Sequence, residues 1–441
     1  MNLLKTFSLK LVLALFLILS SLVVIGQNTK DIDSSFSTDT IAPGIQGSIN
    51  PLTDNTPILS GEELIDDSFP NSLPIFGSNV RMKIGGYVKA DFIHDFDYVG
   101  DRWEFELGSI AVEGSPEREL GGITTFHVKQ TRINFDFRSQ AKWKNGKEFP
   151  MQVFVEFDWF FDSDGLRFVP RMRHAYGVIG RLLIGRSWTN SGDLSTLPGT
   201  IDFSSGDALY GGRVTQIRWQ DKIGTNFSYT VALEETGGQI ANPENLDGAF
   251  RPLYPNLAGN IRYGSTNGSS FQLGFDLFAL SWKGSTTTPD VTRAGYAITG
   301  TGRYAFKVAH FTDSFMYGGG FGQGQGHRII AFSWDGKASG IITEEGGMDL
   351  NPSWFVFAGY NHYWNKSFNS TISTHWAGTD LSVNHSDDTI KKAGSFHANL
   401  IWFPYPRIST GIEYMWGLRE NKIGIKGTAS RIQFMAKFKF N

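Results

Sequence analysis

The sequence predicts an all-β protein, a transmembrane antiparallel β-barrel of about 16 strands with one loop folded inward as a constriction. Three observations carry this prediction. Polar and apolar residues alternate along segments of about ten residues, the length of a tilted strand that crosses a bilayer. Aromatic residues make up 14% of the 441 residues. An N-terminal export signal is followed by no further apolar run suited to a membrane-spanning helix.

The composition excludes several classes of protein. Charged residues reach 19%, too few for a largely disordered chain with this many aromatics. The absence of cysteine excludes a disulfide framework and a thiolate metal site. A pI of about 6.3 argues against a nucleic-acid partner, which requires a basic surface. The mean hydropathy of −0.20 fits a barrel, because a lipid-facing side and a wet lumen average out.

The first predicted element, residues 1–26, is a secretory signal peptide. Lys5 and Lys10 precede an apolar stretch over residues 11–25, and cleavage is expected after Gly26. A membrane-anchoring helix is the alternative. The apolar run is shorter than the roughly 20 residues that span a bilayer, and polar residues follow it, so we favour the cleaved signal.

The second element, residues 27–79, is interpreted as an acidic and flexible extension in the periplasm. It is rich in Ser, Thr, Asn, Pro and Gly and has no sustained periodicity. A short apolar group at 73–76 could dock on another surface. One lysine, Lys30, stands against eight carboxylates: Asp31, Asp33, Asp39, Asp54, Glu62, Glu63, Asp66 and Asp67. What remains from residue 80 on is slightly basic.

The third element, residues 80–441, is the predicted barrel. Its clearest strand is 431–440, where Ile432, Phe434 and Phe438 share one face and Arg431 and Lys437 share the other. The same alternation recurs in six further segments: 129–138, 151–161, 226–234, 271–277, 395–402 and 408–416.

A soluble β-sandwich would alternate as well, so the choice of a membrane barrel depends on further details. The apolar faces are dense in Phe, and Trp and Tyr often lie near strand ends, as expected of lipid-facing girdles. A closed barrel also satisfies every backbone polar group without water. At roughly 20–25 residues per strand and connection, this region holds about 16 strands, although about 14 or about 18 would also fit.

Strand faces cannot be assigned from about residue 294 to 349, because this part is too rich in glycine. Its run at 318–326 has the composition of a phosphate-binding loop, but no Lys-Ser/Thr follows, so a glycine-rich strand or bend is favoured. Neither the Asp-Ser-Asp-Gly turn at 162–165 nor the His-Ser-Asp sequence at 385–387 supports a site. We therefore expect no catalytic residue, metal or cofactor.

Two stretches carry motifs in a specific order. The first contains Arg-Met-Arg-His-Ala-Tyr-Gly at 171–177, Ile-Gly-Arg-Ser-Trp at 184–188 and Leu-Pro-Gly-Thr-Ile-Asp-Phe at 197–203. The second contains His-Ala-Asn-Leu-Ile-Trp-Phe-Pro at 397–404 and Gly-Ile-Glu-Tyr-Met-Trp-Gly at 411–417. Together they resemble the DcaP-like family of outer-membrane porins. The resemblance implies a homotrimer in the outer membrane of a Gram-negative bacterium, in contact with its lipids, that carries small and mainly anionic solutes.

Passive transport needs a water-filled lumen, a constriction and charges that select by sign. The segment 189–207 breaks the alternation, so we expect it to fold into the barrel; an ordinary external loop is the alternative. Basic residues of the flanking strands should line the lumen, with two carboxylates opposite them. The predicted pore-lining residues are Arg132, Arg138, Arg171, Arg173, Arg186, Arg218, Asp193 and Asp202.

Clustered guanidiniums in such a lumen would raise the local concentration of anions. All but one of the six arginines take the polar parity of their strands, whereas Arg186 shares the parity of apolar neighbours and its facing stays open. The alternative is that the arginines only fill the wall by pairing with carboxylates on adjacent strands. Those carboxylates are Asp136, Glu156 and Asp158.

Three functions remain open at this stage. The favoured one is a porin for passive diffusion of small hydrophilic solutes. The second is an outer-membrane barrel enzyme such as a lipid hydrolase, which would need an exterior Ser-His pair. The third is a non-conducting structural barrel.

Overall fold

The computed structural model describes residues 68–75, 80–161, 169–285, 288–343 and 347–440. Within them the chain forms 22 strands and a few short 3-10 turns. The predicted signal peptide and most of the acidic extension lie outside the described residues. The strands are β1 (Leu73–Ile75), β2 (Val80–Asp95), β3 (Thr124–His127), β4 (Arg132–Lys142), β5 (Glu148–Phe161), β6 (Val169–Ile179), β7 (Leu182–Trp188), β8 (Arg213–Ile223), β9 (Phe227–Glu234), β10 (Ile240–Ala241), β11 (Gly248–Phe250), β12 (Asn256–Gly264), β13 (Ser270–Gly284), β14 (Val291–Val308), β15 (Phe311–Gln323), β16 (Gly340–Ile342), β17 (Met348–Leu350), β18 (Pro352–Asn365), β19 (Phe368–Thr379), β20 (Ile390–Tyr405), β21 (Ile408–Asn421) and β22 (Lys426–Lys439).

Sixteen of these strands form a closed antiparallel barrel, which confirms the predicted fold class. They are β2, β4 to β9, β12 to β15 and β18 to β22, and each pairs with the next along the chain. The barrel closes where β2 pairs with β22, from Tyr87 opposite Lys439 to Asp95 opposite Arg431. In the described part of the chain no helix has the length and apolar character to cross a membrane.

The two ends of the barrel differ in their connections. At one end, which we call the turn end, β6 and β7 are joined by only Gly180 and Arg181, and β20 and β21 by only Pro406 and Arg407. At the other, which we call the loop end, long segments such as 189–212 and 324–347 connect the strands. This asymmetry is typical of outer-membrane barrels, whose short turns face the periplasm.

Side chains alternate between a lipid-type outer face and a polar inner face, as the sequence predicts. On β13 the apolar Leu273, Phe275 and Leu277 are exposed on the outside, whereas Gln272 and Asp276 are buried inside. The same division holds on β20, where Phe396, Leu400 and Trp402 point outward. Exposed aromatics mark both ends of the outer wall: Trp143, Trp219, Tyr304, Trp364 and Trp402 at the turn end, and Tyr254, Tyr296 and Trp354 at the loop end. They form the predicted girdles.

The glycine run lies on β15, as a glycine-rich strand. Gly318 and Gly320 face the lumen, and a Cβ at either position would lie 2.5 Å from the ring of Phe357 or Phe355. The absence of these side chains gives the two phenylalanines of β18 room to point inward. Phe355 then stacks on Tyr210, with ring centroids 5.9 Å apart.

The inward-pointing phenylalanines belong to an apolar cluster inside the barrel, which we call the luminal plug. It is formed by three loop segments, residues 99–111, 207–210 and 329–342, packed on the inner faces of strands from β13 to β22. Phe105, Leu107 and Ile110 are fully buried in it. Among the described residues, no buried member of the plug lies on the inner face of β4 to β8.

Candidate functional site

The segment between β7 and β8, residues 189–212, crosses the lumen, which confirms the predicted inward-folded loop. We call it the luminal loop. Thr299 on β14 donates a hydrogen bond to Ser191 O at 2.6 Å. Across the barrel, Lys89 on β2 donates to Ile201 O at 2.7 Å, and Asn399 on β20 donates to Gly199 O at 2.7 Å. These contacts lie near the middle of their strands, so the loop narrows the barrel at mid-depth.

A buried carboxylate on β21 fixes the centre of the luminal loop. Glu413 accepts hydrogen bonds from Ile201 N at 2.5 Å and from Asn399 Nδ2 at 2.9 Å. Its other oxygen lies 2.9 Å from Nδ1 of His397. A buried carboxylate with several donors is satisfied, and each charge-assisted bond is stronger than a neutral one. The barrel wall therefore determines where the loop lies.

A second buried carboxylate fixes the start of the loop. Glu234 on β9 accepts from Thr189 Oγ1 and from Asn190 N, both at 2.7 Å. Arg328, the residue just before the 329–342 segment of the plug, donates to the same carboxylate at 3.3 Å. One anion thus connects the luminal loop, the plug and the barrel wall.

The two predicted luminal aspartates both hold the loop in place. Asp193 accepts from Arg262 on β12 at 2.6 Å and caps the turn at Leu194–Thr196 through Ser195. Asp202 accepts from Phe105 N at 3.0 Å, which joins the loop to the plug. Both aspartates therefore already have hydrogen-bond partners. Neither is the free carboxylate opposite the arginines that the sequence predicts.

Five of the six predicted arginines lie on the inner face of the barrel, on β4, β6 and β8. Three of them pair with the carboxylates named as the alternative. Arg171 and Arg173 both donate to Asp158 at 2.8 Å, and Arg173 also binds Glu156 at 2.7 Å. Arg138 binds Asp136 at 3.0 Å. For these three side chains, pairing within the wall is what the structure shows.

The guanidiniums nevertheless outnumber the carboxylates next to the luminal loop. Phe203 of the luminal loop contacts this wall. Its ring centroid lies 5.3 to 5.6 Å from Cζ of Arg132, Arg171 and Arg173. Among the described residues, Glu156 and Asp158 pair with Arg171 and Arg173. The result is an aromatic contact among guanidiniums on the inner wall.

Arg218 is the predicted arginine that extends this wall along β8. It faces inward, level with Leu183 and Ala232 on the neighbouring strands. Its Nε is buried without a hydrogen-bond partner, and the described residues give its guanidinium no ion pair. Of the six, it is the one best placed to meet a solute.

The structure does not place Arg186 in the lumen. It lies opposite Ala175 and the exposed Thr215, both on the outer face. Its guanidinium is 40% exposed and lies 4.0 Å from Glu235. Both ladders of this strand run in unbroken register, so Arg186 keeps the parity of Ile184, which is exposed on the outer face. The predicted pore-lining role of Arg186 is therefore corrected.

Sequence reasoning missed two further arginines, Arg213 and Arg303. Arg213 begins β8 against the ring of Trp188, 4.7 Å from Cζ to the centroid, and is electrostatically coupled to Arg173 and Arg171. Arg303 faces the lumen from β14. Parity could have indicated Arg303, but its strand lies in the glycine-rich part. The alternation does not indicate Arg213, because this residue is the first of β8 and directly follows the luminal loop.

Where the plug meets the luminal loop, acidic side chains are buried together. Leu107 N donates to Asp207 Oδ2 at 2.7 Å, while Asp207 Oδ1 and Glu106 Oε1 are buried without partners. Burial, together with the charge of Asp202, raises the pKa of Asp207 to about 7. Burial and the charge of Asp207 raise the pKa of Glu106 well above its usual value. These two carboxyl groups therefore stay protonated to a higher pH than exposed carboxyl groups do.

The remaining chemistry-bearing motifs show no catalytic arrangement in the described residues. His385 is buried and its Nε2 lies 3.1 Å from Asn351 Oδ1, so it pairs with an amide on the loop side. The acidic turn at 162–165 lies outside the described residues. No cluster of three His, Asp or Glu among the described residues could hold a metal ion.

Comparison with known proteins places the chain in a family. The outer membrane channel DcaP of Acinetobacter baumannii has a similar structure, with a TM-score of 0.69 at 18% identity over 82% of this chain and 98% of that one. An anion-selective porin from Comamonas acidovorans matches 82% of this chain and 100% of its own at 9% identity, with a TM-score of 0.53. No curated protein matches the chain. The family model of the DcaP outer membrane protein covers residues 63–440, so the chain belongs to this family and is a porin-fold protein of the outer membrane.

Proposed function

We propose that the protein is a passive channel for small hydrophilic solutes and that it favours anions. The observation that carries the proposal is that, among the described residues, the inward guanidiniums on β4, β6 and β8 outnumber the inward carboxylates on β4 and β5. Low-dielectric walls focus the field of such charges and raise the local concentration of counter-ions. Transport of this kind requires no catalytic group, because the lumen selects by size and sign.

The comparisons with known proteins support a channel that favours anions. The Acinetobacter protein is named a channel and the Comamonas protein an anion-selective porin, and this chain shares their fold. In this chain, its own inward arginines would give the selectivity. Among the described residues Arg218 has no carboxylate partner, so its guanidinium remains available to an anion.

Replacing Arg218 with Gln tests the proposal. Under a salt gradient in planar bilayers, the wild type should give a reversal potential of the anion-selective sign. Arg218→Gln should lower the anion-to-cation permeability ratio by a factor of about two to five, since a unit charge about 5 Å from the solute in watery surroundings is worth roughly 0.5–1 kcal/mol.

Arg186→Gln provides the matched control, because it removes the same charge from the outer face one strand away. It should leave the permeability ratio unchanged. Cation selectivity in the wild type would exclude the proposal, and equal effects of the two variants would remove Arg218 from the solute path.

We further propose that the channel is a homotrimer. Arg186 lies on the outer face, where lipid contact is costly for a charged side chain. Its strand β7 has 7 residues, fewer than the 9–11 or so that cross a bilayer. A neighbouring barrel on this side would keep both Arg186 and the short strand β7 out of contact with lipid.

A further inference from the structure

Before the barrel begins, residues 68–75 enter its turn-end mouth. Leu73–Ile75 pairs with the start of β2, opposite Val80 to Met82. Phe69 is almost fully buried, with its ring 4.0 Å from Cζ of the inward-facing Arg138. Arg81, which also faces inward, donates to Ser72 O and Ser72 Oγ at 2.7 Å each. The chain upstream of Phe69 therefore starts from inside the mouth.

The sequence just upstream is strongly acidic. Glu62, Glu63, Asp66 and Asp67 lie within seven residues of Phe69, and residues 62–68 contain no basic residue. Seven extended residues reach at most about 25 Å, so the attachment at Phe69 keeps all four carboxylates near the mouth. The family match begins at residue 63 and so includes most of this segment.

The inner wall of the mouth is basic and incompletely neutralised. Lys83 on β2 and Lys439 on β22 face the lumen near the turn end, and neither side chain has a hydrogen bond or ion pair with the described residues. The nearest cross-strand carboxylate, Asp136, is already bound by Arg138 and Gln152. The wall therefore offers cations that lack an anion.

We propose that residues 62–67 dock in the turn-end mouth of the lumen against Lys83, Lys439 and the Arg138 side. The occupant is this segment of the same chain, chosen by charge complementarity and by its attachment at Phe69. Its carboxylates partly neutralise the mouth and compete there with anionic solutes that pass through. The effect on transport rests on the proposed anion-selective lumen, whereas the docking itself does not.

Cross-linking in the naturally cysteine-free chain tests the docking without altering any charge. Leu64→Cys is combined with Gln140→Cys, which lies on the inner face of β4 near the mouth. The matched control combines Leu64→Cys with Ser139→Cys, the adjacent residue on the outer face. A short bis-maleimide should link the first pair and leave the second unlinked, in the full-length protein, with folding checked by heat-modifiable mobility.

Charge dependence separates docking from simple tethering. The 64–140 yield should fall several-fold in 1 M salt, where the Debye length is about 3 Å, and in a Lys83→Gln, Lys439→Gln background. Equal yields for the inner and outer pairs, or a 64–140 yield that neither salt nor neutralisation lowers, would overturn the proposal. A cation-selective wild type would instead count against the proposed function and leave this result intact.

Discussion

At the scale of single residues, arginines in this wall have three different environments. Arg173 is buried between Glu156 and Asp158 and stabilises the strands that it joins. Arg218 faces the lumen and has no ion-pair partner among the described residues, while Arg186 lies on the outer face. Removing one member of a buried pair leaves an uncompensated charge, so Arg173 is a poor probe of selectivity and Arg218 a good one.

Asp207 gives a pH dependence of stability. Its pKa is about 7 in the folded chain, where burial raises it, against about 3.9 in an unfolded one. Between these values the folded state holds a proton that the unfolded state has released. The free energy of unfolding should therefore fall as pH rises from about 4 to about 7 and level off above.

Asp207→Asn should flatten this slope, because the amide keeps an acceptor for Leu107 N and does not titrate. The thermal unfolding midpoint in detergent, followed across that pH range, measures it. Asp380→Asn, at an exposed position, serves as the control and should keep the wild-type slope. If the Asp207 variant also kept it, the buried carboxyl would not be the source.

At the scale of elements, a loop becomes part of the interior when the wall supplies partners for its backbone. Hydrogen bonds with Glu413, Glu234 and Lys89 hold the luminal loop, and its residues 208–210 also pack in the plug. The 99–111 segment lies inside for a different reason, since its apolar side chains are buried in the plug. The two segments meet at Asp202 and Asp207.

Shortening a plug side chain should loosen the plug and widen the path. Leu107→Ala removes a fully buried side chain and should cost the plug about 2–5 kcal/mol. Single-channel recordings should show a larger or more variable conductance. Leu120→Ala, at a position 65% exposed, is the matched control and should behave as the wild type. An unchanged conductance in Leu107→Ala would mean that the plug does not limit the path.

At the scale of the whole molecule, the barrel wall is uneven in height. The barrel strands β6 to β9 and β12 have 7 to 11 residues, whereas β13 and β14 have 15 and 18. A lipid bilayer has one thickness, so the low side fits contact with a second protein surface better than contact with lipid. The charged outer residues Arg186 and Glu235 lie on this side.

Native mass spectrometry of the detergent-extracted protein should therefore detect three chains. Arg186→Glu, which places a carboxylate beside Glu235, should weaken the trimer, because like charges at an interface repel. Lys392→Glu, on the outer face of β20, changes charge by the same amount and should not. A monomer in the wild type would contradict the trimer.

Much of the barrel was predictable from the sequence, because alternation with period two reports which side of a strand meets lipid. The strands around 271–277 and 395–402 show this, with every assigned face confirmed. The strand around Arg186 shows the limit of reasoning from charge. Arg186 shares the parity of Ile184 and lies with it on the outer face, although its charge suggested the lumen.

The sequence by itself determined the barrel, its outer face and the inward loop, since these follow from the local order of polar and apolar residues. Only the tertiary structure decided which charges are free. Asp193 meets Arg262 and Arg171 meets Asp158 because the barrel brings distant or facing strands together. Pairing depends on distances between strands and loops in space, and a linear pattern does not contain them. The luminal plug has the same origin, because three segments far apart in the chain meet only inside the closed barrel.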